Sequence, residues 1–412
     1  MNTDTLSIKQ NLIWNSVGNF CYLVSQWLIT YLTTRIGGFS AAGILSIAMS
    51  LGGTYVSVAN YSMRHYQASD VDGSYSDATY ISSRYLTSFI SLVICFISIV
   101  ILGYDEFTAT CVSVYMIFKV TEAISDVYQG GMQKRMRMDY IGKAYLYKAA
   151  CCLGIYALAY MITDSLLISL LLMTIVAAII VFGYERRIYI SLPDFNASST
   201  LSSVTQLLVS CLPLMLFGLC LSAVGQIPRL IVGARLGDEL LGVYASIATP
   251  ITIIQVMANY LFAPLTTPFA NYIYEGNITE FWKLFAKVLI TLFSIAAISI
   301  IGAHYFGTQA LFILYGESII GYSYAIVPLV ICGILTAFVW FFSNVLTVLR
   351  RTKVLVSLSA ISVCVSIIAS YLLVDNFGIN GASFGLIIAL AVFSAGSFTS
   401  LIFDSKLRAF RQ

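Results

Sequence analysis

Three charged residues interrupt an otherwise apolar stretch, "YMIFKVTEAISDVY", with Lys119, Glu122 and Asp126 at i, i+3 and i+7. On a helix that spacing brings all three to one face, and Lys119 lies where it can pair with Glu122. In a membrane-embedded segment such a trio either ties helices together, couples a cation or proton, or meets an anionic substrate. We take Lys119, Glu122 and Asp126 as the candidate ion-coupling group, with self-satisfied bundle packing as the plain alternative. A second set is uncharged. Asn11, Asn15, Asn19, Tyr22, Gln26 and Thr30 recur at steps of three or four near the N-terminus and form one stripe. Interhelical polar contacts average only about 0.6 kcal/mol each, and three asparagines on one stripe exceed what packing needs. The stripe reads as a wetted wall whose amides can meet hydroxyl groups.

Further along, "GQIPRLIVGARLG" carries Gln226, Pro228, Arg229 and Arg235. Pro228 removes a backbone donor and tends to kink its helix. An arginine at a helix centre costs about 2.5–3.5 kcal/mol on insertion scales and less near an end, so Arg229 either snorkels to an interface or grips an anion such as phosphate in bidentate fashion. In "YASIATPITIIQVMANYLFAPLTTP", Gln255 and Asn259 sit four apart among Pro250, Pro264 and Pro268. Proline-interrupted helices of this kind face substrate in many transporters. Catalytic sets are missing: there is no G-x-x-x-x-G-K-[ST] for ATP phosphates and no H-E-x-x-H for zinc. His65 and His304 are 239 positions apart, and the nine cysteines lie singly or adjacent in apolar runs without a C-x-x-C pair. No metal, cofactor or disulfide framework is expected, and the chain reads as a non-enzyme.

These residues need a membrane to position them. Of 412 residues 59% are hydrophobic and 10% charged, against roughly 25% charged in soluble proteins. Aromatics reach 14%, with 27 tyrosines suited to two interfacial belts. The net charge of +3 is too small for a nucleic-acid surface. A window of about 20 apolar residues marks twelve spans: 11–34, 41–62, 82–103, 107–128, 144–162, 165–184, 203–228, 240–262, 284–303, 323–348, 354–374 and 380–403. The expected fold is an all-α polytopic membrane protein of about twelve transmembrane helices. The N-terminus has no basic start or cleavage signature and is expected to be a retained helix rather than a signal peptide.

With both termini cytoplasmic, 18 of the 22 lysines and arginines fall on cytoplasmic ends and loops, Arg64, Arg84 and Lys148 among them. Only Arg35, Arg229 and Arg235 lie toward the other side, and Lys119 lies within a span. That asymmetry sets the topology by the positive-inside rule. "RIGGFSAAGILSIA" at Arg35–Ala48 also has an echo, "RLGDELLGVYASIA" at Arg235–Ala248, with five of fourteen positions identical. Six spans separate the two copies, so both run in the same direction. The expected organisation is two parallel six-helix bundles, residues 1–195 and 196–412, related by an axis along the membrane normal.

Two stretches resemble a known family. "YSMRHYQASD" at Tyr61–Asp70, continuing into "GSYSDATYISSRYLT", and "QIPRLIVGARLGDELLGVYASIA" at Gln226–Ala248 resemble Wzx-type polysaccharide biosynthesis proteins, the lipid-linked oligosaccharide flippases of the MOP superfamily. The resemblance implies two V-shaped bundles around a cavity lined by the first, second, seventh and eighth spans. It implies alternating access that carries an undecaprenyl-diphosphate-linked repeat unit from the cytoplasmic to the outer leaflet of a bacterial inner membrane, for O-antigen, capsule or a similar polymer. Glycan polymerase and chain-length machinery are the implied companions. By position, Arg35, Arg64, Arg229 and Arg235 become phosphate candidates, and Asn15, Asn19, Gln26, Gln255 and Asn259 candidates for sugar hydroxyls. One departure stands out: many relatives carry Asp where this chain has Pro228, so Arg229 lacks that ion pair. Two other readings remain at this level. One is a cation-coupled small-molecule exporter of the same superfamily, disfavoured by the absence of an acid in the first span. The other is a membrane-embedded glycan polymerase or transferase, disfavoured by short outer loops.

Overall fold

The computed structural model describes the backbone of residues 7–70, 73–262 and 265–404. Side chains are described for these except residues 8, 65, 69, 252–262, 266 and 267. Among the described residues every regular element is helical: α1 Ile8–Asn60, α2 Met63–Ser69, α3 Asp77–Leu102, α4 Glu106–Lys134, α5 Met138–Thr163, α6 Leu166–Ile180 and α7 Arg186–Ile190 precede a short linker. After it come α8 Leu201–Leu236, α9 Asp238–Phe262, α10 Thr266–Tyr274, α11 Ile278–Tyr315, α12 Ile326–Val348, α13 Thr352–Phe377 and α14 Ile379–Ile402. Capping is legible in the sequence. Ser7 and Gln10 form a capping box at the start of α1, and Ser76 and Asp105 accept backbone N–H bonds from Thr79 and Thr108 to start α3 and α4.

The chain is a multi-pass membrane protein, with ten helices among the described residues long and apolar enough to cross a bilayer. Two places account for the difference between these ten and the expected twelve. The spans expected at 11–34 and 41–62 form one element, whose 53 residues would measure about 80 Å if straight, far beyond a hydrocarbon core of about 30 Å. It turns at Gly38, where φ is 74° and ψ −175°, a conformation open to glycine alone at little cost. The span expected at 240–262 corresponds to α9, whose side chains beyond Ile251 lie outside the described residues. The repeat noted in the sequence has a local counterpart. Gly38 follows Arg35 by three positions, and Gly237 (φ 85°) follows Arg235 by two, so a left-handed glycine turns the chain after each arginine.

Helix α3 is inside-out relative to a helix of a soluble protein. On α3, Ser83, Arg84, Thr87, Ser88 and Ser91 are buried, while Phe89, Ile97, Val100 and Ile101 are exposed. Hydrocarbon can meet the apolar face, but polar groups must find partners within the protein. Helix approach depends on small residues. A Cβ on Gly18 would lie 2.5 Å from the Gly142 carbonyl oxygen, so α1 and α5 touch backbone to backbone. On α14, a Cβ on Gly381 would lie 2.2 Å from the Leu373 carbonyl oxygen of α13.

The chain divides into two compact units, Met1–Ser222 and Ala223–Gln412, with the division inside α8. In unit 1, α1 packs on α3, α4 and α5, and α6 on α4 and α5, while α2 lies against α4. In unit 2, α12 packs on α9, α11 and α14, and α13 pairs along its length with α14. The string Gly381–Gly385 has G-x-S-x-G spacing, but it lies wholly inside α14, where its glycines press on α13. It is a packing element, without the strand-to-helix turn that a nucleophile elbow requires.

Candidate polar site within unit 1

Unit 1 gathers seven charged side chains from five helices into its membrane-spanning interior. Asp126 on α4 is central. Its Oδ1 accepts from Arg64 Nη1 of α2 at 2.9 Å and its Oδ2 from Arg84 Nη2 of α3 at 2.9 Å. Arg64 is positioned further by donating to Gln129 Oε1 at 3.3 Å and Gln133 Oε1 at 3.2 Å. Arg84 is fully buried and donates its other terminal nitrogen to the Ala59 carbonyl and to Asn60 Oδ1, each at 3.0 Å. It thereby ties α3 to the C-terminal end of α1.

One turn earlier on α4, Lys119 and Glu122 pair at 2.6 Å, as their spacing requires. Tyr22 of α1 donates to the other Glu122 oxygen. Deeper still, Lys148 of α5 and Glu185 pair at 2.8 Å, and their side chains are 3% and 0% exposed. Ser125 donates to Glu185 and accepts from Lys148 and from Gln129 Nε2. Glu185 closes a π-helical turn, Val181–Glu185, between α6 and α7. Such single-turn insertions shift the register of a helix face and recur at functional sites; here the turn ends on the acid that Lys148 needs.

A cavity of about 330 Å³ opens among these groups. Amides line it at Asn19, Gln26, Asn60 and Gln129, together with the charged Lys119, Glu122, Asp126 and Lys148. The rings of Tyr22 and Tyr145, also in the wall, stack with centroids 5.4 Å apart and planes at 28°. Asn19 and Gln26 from the stripe on α1 therefore meet the Lys119–Glu122–Asp126 trio from α4. Asn15 is half-buried further toward the N-terminus, and Asn11 is buried and accepts from the Met138 backbone N–H, which fixes α1 to the start of α5.

Arg84, Lys148 and Glu185 are members that sequence reasoning missed. Arg84 and Lys148 do not belong to cytoplasmic loops, as charge counting has them. They lie inside α3 and α5, 0% and 2% exposed, because each meets a carboxylate that offsets its desolvation.

A second polar cluster binds the linker to unit 1. Arg135 grips Asp77 through two bonds of 3.1 and 2.9 Å, and Tyr189 donates to the same carboxylate at 2.6 Å. Asp77 also accepts the Asn196 backbone N–H at 2.9 Å, while Arg135 donates to the Pro193 and Asp194 carbonyls. Nearby, Asp70 accepts the backbone N–H groups of Ser74 and Tyr75 at 2.8 and 3.2 Å and faces Lys134 at 3.4 Å. Burial works against the Asp70 carboxylate, but those amides and Lys134 hold it below the usual range.

Unit 2 holds the remaining candidates. Arg229, half-buried on α8, sits beside Tyr244 and Cys332 and makes no ion pair among the described residues. Arg235 is exposed, pairs with Asp375 at 3.5 Å and lies over the Tyr371 ring at 4.3 Å. In unit 1, Arg35 is exposed beside the turn at Gly38. Gln255 and Asn259 lie outside the residues whose side chains are described. Among the described residues no group of three or more His, Cys, Asp or Glu side chains is arranged to hold a metal ion.

No family model matches the chain. Its sequence is 21% identical over 386 residues to the capsular polysaccharide biosynthesis protein CapF of Staphylococcus aureus, covering 92% of this chain and 96% of that one. Among solved structures, an inward-facing multidrug resistance MATE family transporter of the MOP superfamily matches with a TM-score of 0.72 at 15% identity, covering 96% of this chain and 95% of the other. The eukaryotic MATE transporter AtDTX14 matches at 0.66 and 12% identity, over 98% of both chains. A MOP superfamily transporter from Pyrococcus furiosus, described as having a binding pocket of reverse polarity, matches at 0.59 and 14% identity, over 99% and 98%. The chain has the fold of these MATE/MOP transporters, and its sequence is similar to that of a capsular polysaccharide biosynthesis protein.

Proposed function

We propose that this protein moves an undecaprenyl-diphosphate-linked oligosaccharide repeat unit from the cytoplasmic to the outer leaflet of a bacterial inner membrane, by alternating access, for assembly of a cell-surface polysaccharide. The observation that carries the reading is the similarity to a capsular polysaccharide biosynthesis protein along 92% of the chain, on a fold whose solved neighbours are transporters. The physical problem fits the fold. Each sugar hydroxyl costs roughly 4–8 kcal/mol to strip of water in a hydrocarbon-like medium, so an oligosaccharide headgroup faces a barrier of tens of kcal/mol in bare lipid. A polar path within protein replaces that water, while the polyprenyl tail stays in the bilayer. In this reading Asn15, Asn19, Gln26, Gln255 and Asn259 serve sugar hydroxyls. Arg35, Arg64, Arg229 and Arg235 serve the diphosphate, and the Lys119–Glu122–Asp126 group responds to a coupling cation or proton. Both termini are cytoplasmic, and polymerase and chain-length machinery act downstream.

A second reading, a cation-coupled small-molecule exporter, is favoured by the MATE transporters among the solved neighbours. Deletion of the gene separates the two. The flippase reading expects lipid-linked repeat units to accumulate on the cytoplasmic leaflet, with unchanged sensitivity to cationic drugs. Normal delivery of repeat units to the outer leaflet, in a strain without a redundant flippase, would sink it.

A further inference from the structure

In unit 2, the antiparallel helices α13 and α14 leave a groove of about 450 Å³ beside the first turns of α13 and the last turns of α14. Its apolar side is built by Val354, Leu358 and Phe403. The innermost contact is tight, since a Cβ on Gly396 would lie 2.5 Å from Leu358 Cδ2. Its polar rim carries Lys353, Ser357 and Ser400. With 26 residues, α13 is about 39 Å long, more than the hydrocarbon core of about 30 Å. Lys353, on the first turn, therefore reaches headgroup level, and the groove descends from it toward the acyl region.

The cations at this end are not equally committed. Arg351 Nε meets Asp404 Oδ2 at 2.6 Å, which ties the turn before α13 to the end of α14. Lys353 is exposed and makes no ion pair or hydrogen bond among the described residues, and the hydroxyls of Ser357 and Ser400 donate to none. No acid lines the groove. Residues 405–412, SKLRAFRQ, bring three cations and no acid, so they add no counter-charge for Lys353. An apolar trough with a free ammonium and two free hydroxyls at headgroup level complements a lipid that joins a negative phosphate to an acyl chain. Basic pockets between membrane helices recognise anionic headgroups in this way, whereas a zwitterionic headgroup brings its own cation and gains less from a lysine. We propose that the α13–α14 groove seats one anionic glycerophospholipid. Its phosphate meets Lys353, Ser357 and Ser400 serve phosphate or glycerol oxygens, and an acyl chain lies over Val354, Leu358 and Gly396. The site does not depend on what the protein transports.

Native mass spectrometry of the full chain released from micelles tests this, with dioleoyl phosphatidylglycerol and dioleoyl phosphatidylcholine as probes. Phosphatidylglycerol should bind about fivefold more tightly, the factor that one cation near a membrane surface supplies. Lys353→Gln should bring the two lipids within about twofold of each other, and Lys353→Arg should keep the preference. Ser357→Leu fills the trough and should weaken both lipids about threefold or more. Both substituted side chains are exposed, and an unchanged melting temperature in detergent checks that the variants fold. Equal binding of the two lipids by the parent, an undiminished preference in Lys353→Gln, or unchanged lipid binding in Ser357→Leu would each overturn the proposal. Four other outcomes would give the groove a different occupant and overturn it as well. Displacement of phosphatidylglycerol by millimolar inorganic phosphate would make it a site for a free anion. Tighter binding of undecaprenyl phosphate would assign it to a polyprenyl carrier. Stronger lipid binding in Phe410→Ser would place residues 405–412 there, and a dimer lost in Ser357→Leu would place a second copy of the chain there.

Discussion

Glu185→Gln keeps the shape of the side chain and removes its charge, which leaves the Lys148 ammonium buried with no carboxylate. Both side chains are essentially inaccessible, at 3% and 0% exposure, so neither water nor a rearranged neighbour readily replaces the lost partner. Breaking a buried pair by removing one member costs about 3–5 kcal/mol. For a unit of about two hundred residues, each kcal/mol corresponds to about 2–4 °C in melting temperature, so the expected loss is about 6–20 °C. Lys148→Met should cost a similar amount, since it strands Glu185 beside Ser125. The double variant Lys148→Met/Glu185→Leu exchanges the pair for apolar groups of similar volume, which is often neutral or stabilising; it should recover most of the loss. Thermal unfolding of the purified protein in detergent, followed by size-exclusion of the remaining monodisperse fraction, measures all three. Single variants that melt within about 2 °C of the parent would refute the reasoning. So would a double variant whose loss equals the sum of the singles, because that additivity means that the two groups do not interact.

Three other perturbations have defined outcomes. Asp77→Asn should loosen the linker, because Arg135, Tyr189 and the Asn196 backbone N–H all converge on that carboxylate; hydrogen bonds to charged groups are worth about 1.5–3 kcal/mol each, so limited proteolysis within residues 191–200 should speed up about tenfold or more, and an unchanged rate would count against the clamp. Asp70 has a folded-state pKa below its unfolded value, so its stabilisation is complete at neutral pH and is lost as the pH falls through the folded value; melting temperature should drop more steeply below about pH 4 in the parent than in Asp70→Asn, and parallel profiles would contradict the assignment. Gly18→Leu should separate α1 from α5, since even a Cβ at that position meets the Gly142 carbonyl; overpacking of this kind costs about 1–3 kcal/mol, visible as a lower melting temperature, whereas a parental value would mean that the helices slide apart without strain.

Helix spacing made the Lys119–Glu122 pair legible, because i, i+3 geometry is local and needs no knowledge of the fold. The amide stripe on α1 was legible for the same reason, and Asn19 and Gln26 do reach the cavity that the trio lines. The partners of Asp126 were not. Arg64 and Arg84 lie 62 and 42 positions away, and nothing in the local pattern tells which distant helix will face it. Lys148 and Arg84 were absorbed into the count of loop cations, since each lies within a few turns of a span end, where hydropathy alone cannot distinguish a snorkelling side chain from a buried one. Glu185 fell beyond the apparent end of its apolar run, and the π-helical turn that aims it inward has no sequence signature. The turn between the first two spans was legible as well: Gly38, between the spans at 11–34 and 41–62, takes a non-helical conformation where two helices meet end to end within α1.

Reconstitution in vesicles shows whether this chain moves a glycan headgroup across the bilayer. Proteoliposomes would be loaded with a fluorescently tagged undecaprenyl-diphosphate oligosaccharide, and membrane-impermeant reagent would then report the fraction exposed on the outer face over time. The protected fraction should become accessible at least tenfold faster with the protein than in protein-free vesicles, and Arg64→Gln or Glu122→Gln should change that rate. Accessibility no faster than in protein-free vesicles, with the same preparation extruding a cationic dye along an ion gradient, would rule out glycan movement and leave the exporter reading in its place.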